Sequence, residues 1–217
     1  MNGIALEPGR PTPSVSEGQT MTSRQRMAMA MRGGKVTACL DALRRGALEL
    51  MDRHARAGAD AVLISSAYAG GCFISPGDYR QFVLPAERHV IEAFGAAHPE
   101  VPVYTHTCGL LSDRLELLEE TGTAGIDTLD PPPLGDVDLA DAKRRVGERL
   151  FLKGNIDPIN TVLRGTPAEC AAETRRCLDI AMPGGGYILS TACSVPPHAS
   201  PENITALFVA AEQYGRY

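Results

Sequence analysis

Two short segments carry side chains that could do chemistry together. In Tyr104-Thr105-His106-Thr107-Cys108-Gly109, an imidazole and a thiol stand two residues apart. In extended chain, residues so spaced point the same way, and imidazole and thiolate are the favoured ligands of zinc. The second segment, Ser190-Thr191-Ala192-Cys193-Ser194, offers another thiol in Cys193. A His, Cys, Cys set fills three positions around a tetrahedral ion and leaves one open, as catalytic zinc sites do. On residue types alone the packing reading comes first, since a free cysteine is a normal small core residue.

The remaining cysteines divide by context. Cys170 and Cys177 fall on one face of a predicted helix and read as packing, as does Cys39. Cys72 lies in a Gly-rich loop and reads either as a loop thiol or as a spare ligand. Gly154-Asn155-Ile156-Asp157-Pro158 offers two polar side chains just after a predicted strand. Asn155 and Asp157 are candidate catalytic residues, through substrate contact or support of the site; an Asx-type turn ahead of Pro158 is the plainer alternative. Asp127 and Asp130 carry the same ambiguity, with turn chemistry favoured for Asp130 before Pro131-Pro132-Pro133.

These segments need a scaffold that brings them to one end. Five short apolar runs predict strands at 61–66, 102–106, 125–129, 151–154 and 186–191, each nearly continuous, as strands buried on both faces are. Between them run helical patterns. Leu40, Leu43, Ala47, Leu50, Met51 and His54 place one over 37–57. Tyr79, Phe82, Val83, Val90, Ile91 and Phe94 place another, which Pro85 should kink or split. Leu111, Leu115 and Leu118 mark a third, and Leu139, Ala142 and Val146 a fourth. Ser75-Pro76, Thr166-Pro167 and Ser200-Pro201 each put a hydroxyl at the N-cap and a proline in the first turn. Thr166 and Glu169 have capping-box spacing.

Strand and helix alternating through short links mean a parallel α/β sheet, either doubly wound or a barrel. In both, the site forms at the C-terminal ends of the strands, where His106, Cys108 and Cys193 would meet. No Gly-rich phosphate fingerprint follows a strand; Gly184-Gly185-Gly186 precedes one and suits a helix stop. No internal repeat and no second domain is evident.

Composition narrows the function classes. The 217 residues are enough for one domain with a core. A net charge of −5 disfavours nucleic acid and anionic membranes as partners. No apolar run reaches the roughly 20 residues of a membrane span. Residues 1–20, rich in Pro, Gly and Ser, lack the pattern of a signal peptide and read as a flexible tail, with 21–217 as a single domain. Scattered cysteines in such a chain imply reduced thiols and a cytoplasmic setting.

From Gly58-Ala59-Asp60 to the C-terminus the sequence resembles the uroporphyrinogen decarboxylase superfamily. The resemblance is carried by Ile74-Ser75-Pro76, the run from Tyr79 to Pro85, His106-Thr107-Cys108-Gly109, Gly154-Asn155-Ile156-Asp157-Pro158, Gly186-Tyr187-Ile188-Leu189-Ser190 and Pro201-Glu202-Asn203-Ile204. It implies a (β/α)8 TIM-type barrel with its site at the C-terminal rim. It also separates two branches. The methylcobamide:thiol methyltransferases have a zinc-binding His-x-Cys and a distant Cys after the last strand, matched here by His106, Cys108 and Cys193. The decarboxylases typically carry a His in a Gly-His pair at the last position, where this sequence reads Ala192-Cys193, and need no metal.

The methyltransferase branch implies zinc, a methylcorrinoid (methylcobalamin) donor on a separate corrinoid protein, and a small thiol acceptor. Decarboxylation of a tetrapyrrole, as in porphyrin biosynthesis, is the alternative activity. A third reading, from another class, is an inactive barrel fragment serving as a docking module. A full barrel runs to roughly 250 residues, so an incomplete barrel lacking early strands is expected. Its exposed edges predict a homo-oligomer, a partner or poor stability.

Overall fold

The computed structural model describes residues 37–216, with side chains from Asp41 onward. The 1–20 tail, its boundary with the domain and the side chain of Cys39 lie outside the described residues. Packing divides the chain within its first described helix, α1 (Thr37–Arg56), between Gly46 and Ala47. The sheet and the site belong to Ala47–Tyr217.

Five strands follow: β1 (Val62–Ser65), β2 (Val103–His106), β3 (Gly125–Thr128), β4 (Phe151–Ile156) and β5 (Tyr187–Thr191). All pair in parallel in the order β1-β2-β3-β4-β5. This order decides between the two architectures left open by the sequence. A doubly wound sheet reverses its strand order at a switch point; here each strand pairs with the next in the chain, as in a barrel.

A helix follows each strand: α2 (Leu84–Ala97), α3 (Leu115–Glu119), α4 (Leu139–Val146), α5 (Pro167–Ala181) and α6 (Pro201–Tyr214). The break expected near Pro85 takes the form of a widened π turn at Tyr79–Val83 running directly into α2. The third helical pattern is shorter than its leucines suggested: Leu111 precedes the helix and is buried in the loop. Thr166 and Glu169 form the reciprocal capping box, and so do Ser75 and Asp78.

The helix-facing side of the sheet is apolar. Ile126 and Leu152 are fully buried, among Leu118, Leu139, Ala142, Val146, Leu178 and Ala181. Each buried Leu, Ile or Val among them is worth about 1.5–3 kcal/mol of transfer free energy. A second cluster joins Met51 of α1, Val90, Ile91 and Phe94 of α2, and Val62 and Val103. Cys170 and Cys177 of α5 are buried in this helix layer.

The opposite face differs. One register row sets Ser65, His106, Asp127, Lys153 and Ile188 side by side. The row below it holds Leu63, Tyr104, Gly125 and Phe151. Gly125 is needed there: a Cβ would lie 2.5 Å from the Phe151 ring, which packs 5.5 Å from that of Tyr104. Among the described residues, no helix is long and apolar enough to cross a membrane.

Candidate metal centre

His106 is the last residue of β2, Cys108 lies two beyond it, and Cys193 lies two beyond the end of β5. Parallel pairing puts these ends on one side of the sheet. The ligand atoms of the three residues lie within 4.8 Å of one another, and the His106 Nε2 is 3.2 Å from the Cys108 Sγ. All three side chains are partly exposed, which gives a ligand access. They come together without any other His, Cys, Asp or Glu completing the group among the described residues.

The electrostatics suit a cation. Burial pushes the Cys108 thiol up to about 11, helped by the neighbouring Cys193 and Asp130. The Cys108 sulfur is therefore a poor thiolate by itself, and a divalent ion beside it would reverse that balance. Two thiols, one imidazole and an accessible fourth direction are the donor set of an open zinc site.

Around the ligands, polar contacts fix the loops. The Gly109 N–H donates to the Asp130 Oδ2 at 2.7 Å, and burial pushes the Asp130 carboxyl up. Asp127 sits behind His106, its Oδ2 3.4 Å from Nδ1, while its Oδ1 accepts from the Lys153 Nζ at 2.6 Å and the Thr128 N–H at 2.9 Å. Burial raises the Asp127 carboxyl, but the hydrogen bonds to His106 and Lys153 outweigh it and hold the group below its ordinary range.

The loop after β1 packs against the ligand loop. A Cβ on Gly70 would lie 2.1 Å from the Cys108 carbonyl oxygen, so only glycine fits this approach. Gly109, in the left-handed region at φ +81°, sits against the Cys72 Sγ. Cys72 itself is exposed and outside the three-residue group. The loop is clamped from below by Arg114, fully buried, whose guanidinium donates to the Ala69 and Ile74 carbonyls at 2.6 and 3.0 Å. Beside it Ser66 and Tyr79 both donate to the buried Glu87 carboxylate.

Asn155 and Asp157 have other occupations. β4 runs two residues further than predicted, so Asn155 lies inside the strand. It is buried, with Nδ2 donating to the Leu129 carbonyl at 3.1 Å. Asp157 caps the π turn Pro158–Leu163, its Oδ1 accepting from the N–H groups of Ile159 and Asn160 at 2.7 and 2.8 Å. That is the Asx-type arrangement, and neither residue belongs to the ligand group. Arg114, Glu87 and Lys153 were not singled out from the sequence. Glu87 had a signal, since it shares the stripe of Val83, Val90 and Ile91. Lys153 had one too, two residues along a strand from Phe151 and thus on its face. Arg114 had none that distinguished it from a surface charge.

Comparison with known proteins identifies the family and the fold. Residues 14–214 match the family described as uroporphyrinogen decarboxylase (URO-D). The uroporphyrinogen decarboxylase of Chlorobaculum parvum is 30% identical over 177 residues, which are 80% of this chain and 45% of that protein. That of Gloeobacter violaceus is also 30% identical, over 80% of this chain and 46% of its own length. Among solved structures, a methyltransferase from Methanosarcina mazei superposes with a TM-score of 0.72 at 21% identity, covering 89% of this chain and 54% of the other. The chain thus spans about half the length of the relatives it matches. Their fold is shared, down to the α/β barrel type, and the chain belongs to the uroporphyrinogen decarboxylase family.

Proposed function

We propose that this protein is a zinc-dependent methyltransferase that moves a methyl group from a methylcorrinoid to a small thiol. The observation that carries the reading is the convergence of His106, Cys108 and Cys193, whose ligand atoms lie within 4.8 Å of one another at the strand ends. Bound there, zinc would hold an incoming thiol as its thiolate at neutral pH. The chain's own residues do the rest. His106 supplies a neutral nitrogen, Cys108 and Cys193 give up their protons on binding, and their partly exposed side leaves room for the acceptor. The methyl donor is taken to be methylcobalamin carried by a corrinoid protein docked over this rim. Asn155 and Asp157 serve by holding the β4 exit in shape, through the Leu129 carbonyl and the Ile159 and Asn160 amides.

The reading places the enzyme in the cytoplasm, where thiols stay reduced. It includes a homo-oligomer, since β1 and β5 end the sheet among the described residues and open edges invite pairing.

One observation favours a second reading: the sequence relatives at 30% identity are named uroporphyrinogen decarboxylase. Against it stands Ala192-Cys193 in place of the Gly-His pair. A single assay pair separates the two. Free methylcobalamin is mixed with the zinc-loaded chain and a panel of small thiols, and cobalt–carbon cleavage is followed by absorbance. Thiol-dependent cleavage lost in Cys193→Ala supports methyl transfer. Metal-independent release of carbon dioxide from a porphyrinogen, unchanged in that variant, supports the decarboxylase.

A further inference from the structure

We infer that Asp127, locked by Lys153, is the positioning residue for His106: it accepts the Nδ1–H and so leaves the Nε2 lone pair facing the Cys108 sulfur. This inference rests on the zinc reading and specifies which imidazole nitrogen serves it.

The two ring nitrogens of His106 face different partners. Nε2 points to the Cys108 Sγ at 3.2 Å, and Nδ1 to the Asp127 Oδ2 at 3.4 Å. A neutral imidazole has one N–H and one lone pair, while a carboxylate only accepts. The proton therefore belongs on Nδ1, and Nε2 is the nitrogen free to donate its lone pair. Metal-bound histidines commonly have their other nitrogen tied in this way, which fixes both tautomer and ring orientation.

Asp127 is built to hold that position. The register row places it between His106 and Lys153 on adjacent strands. Its Oδ1 is engaged twice, by the Lys153 Nζ at 2.6 Å and the Thr128 N–H at 2.9 Å. Those contacts set the plane of the carboxylate and leave Oδ2 to His106. The Asp127 side chain is only 8% exposed, so water competes weakly for that oxygen. Charge balance points the same way. Two thiolates already neutralise a divalent cation, and a further carboxylate would leave the site negative. The Lys153 ammonium cancels that charge without reaching the ligand group, to which neither Asp127 nor Lys153 belongs.

The test compares the wild-type chain with Asp127→Asn, Lys153→Met and Lys153→Arg. Zinc affinity is measured by competition with a chromogenic chelator, and circular dichroism reports that each chain is folded. Asp127→Asn should weaken zinc binding about 10–100-fold. Lys153→Met should weaken it less, and Lys153→Arg should stay near wild type because it keeps the cation. A purely structural role for Asp127 would leave the second readout unmoved: long-range proton–nitrogen spectra of ring-labelled histidine, with His106 assigned by its absence in His106→Gln. The expected spectrum has Nδ1 protonated in the wild type, a preference lost in Asp127→Asn. Zinc binding through Nδ1, or an Asp127→Asn chain with wild-type affinity and tautomer, overturns the inference and leaves the zinc reading standing. A folded wild-type chain that binds no zinc overturns both.

Discussion

The chain carries two pairs of cysteines in contrasting settings around the same sheet. Cys170 and Cys177 lie in the helix layer, fully buried, and burial pushes the Cys177 thiol up to about 11. The Cys170 thiol donates to the Thr161 carbonyl, and the Cys177 sulfur lies against the side chains of Asn155, Glu173 and Arg176. Cys108 and Cys193 lie beyond the strand ends, partly exposed, with an imidazole beside them. The side chain is the same in both places. What separates a packing thiol from a ligand is its location: the helix layer removes it from solvent, while the parallel strand ends collect an imidazole and two thiols from distant parts of the chain.

That contrast makes separable predictions, since substitutions in the helix layer should move stability and leave metal binding intact. The largest expected effect is at Leu152, fully buried on β4 between β3 and β5. Leu152→Ala should cost about 2–5 kcal/mol in urea unfolding, through lost burial and the cavity left behind. Cys177→Ala should cost about 1 kcal/mol and leave zinc affinity unchanged. A marked loss of zinc in the folded Cys177→Ala chain would break the division between the two pairs.

The smallest effect sharpens the outer limit of the helix layer. Hydrogen bonding from Arg145 holds the Glu116 carboxyl below its ordinary range. A depressed carboxyl pKa stabilises the fold above the unfolded value and ceases to do so as pH falls through the folded one. Glu116→Gln should therefore lower stability slightly at neutral pH and make no difference under strongly acidic conditions. Glu116 is half exposed, so screening limits the gain to about 0.5 kcal/mol or less. Thermal melts across pH at two salt concentrations check this, and a difference that grows toward low pH would contradict it.

The fold was legible because its signals are local. All five strands appeared as short apolar runs, and the hydroxyl-proline starts marked helix ends to the residue. Extended spacing put His106 and Cys108 on one side, but nothing in residues 109–192 says where Cys193 goes. Only sheet order brings it back, and strand order is a global property that no window of sequence contains. Asn155 and Asp157 show the converse. Their motif marks them out, yet their side chains serve the backbone around β4, and the boundary of that strand depended on its pairing with β5. Alternation puts Lys153 on the face of Phe151, yet a lysine in a strand looks like a solvated charge until its neighbour across the sheet is known to be Asp127.

The central claim, that His106, Cys108 and Cys193 form one zinc site, is tested most directly by metal content. The wild-type chain and Cys193→Ala are purified without added chelator and analysed for zinc by mass spectrometry against protein concentration. The account predicts about one zinc per wild-type chain and almost none in Cys193→Ala, with Cys177→Ala retaining the wild-type value. A folded wild-type chain free of zinc after exposure to the ion, or a Cys193→Ala chain that keeps its full complement, would contradict it.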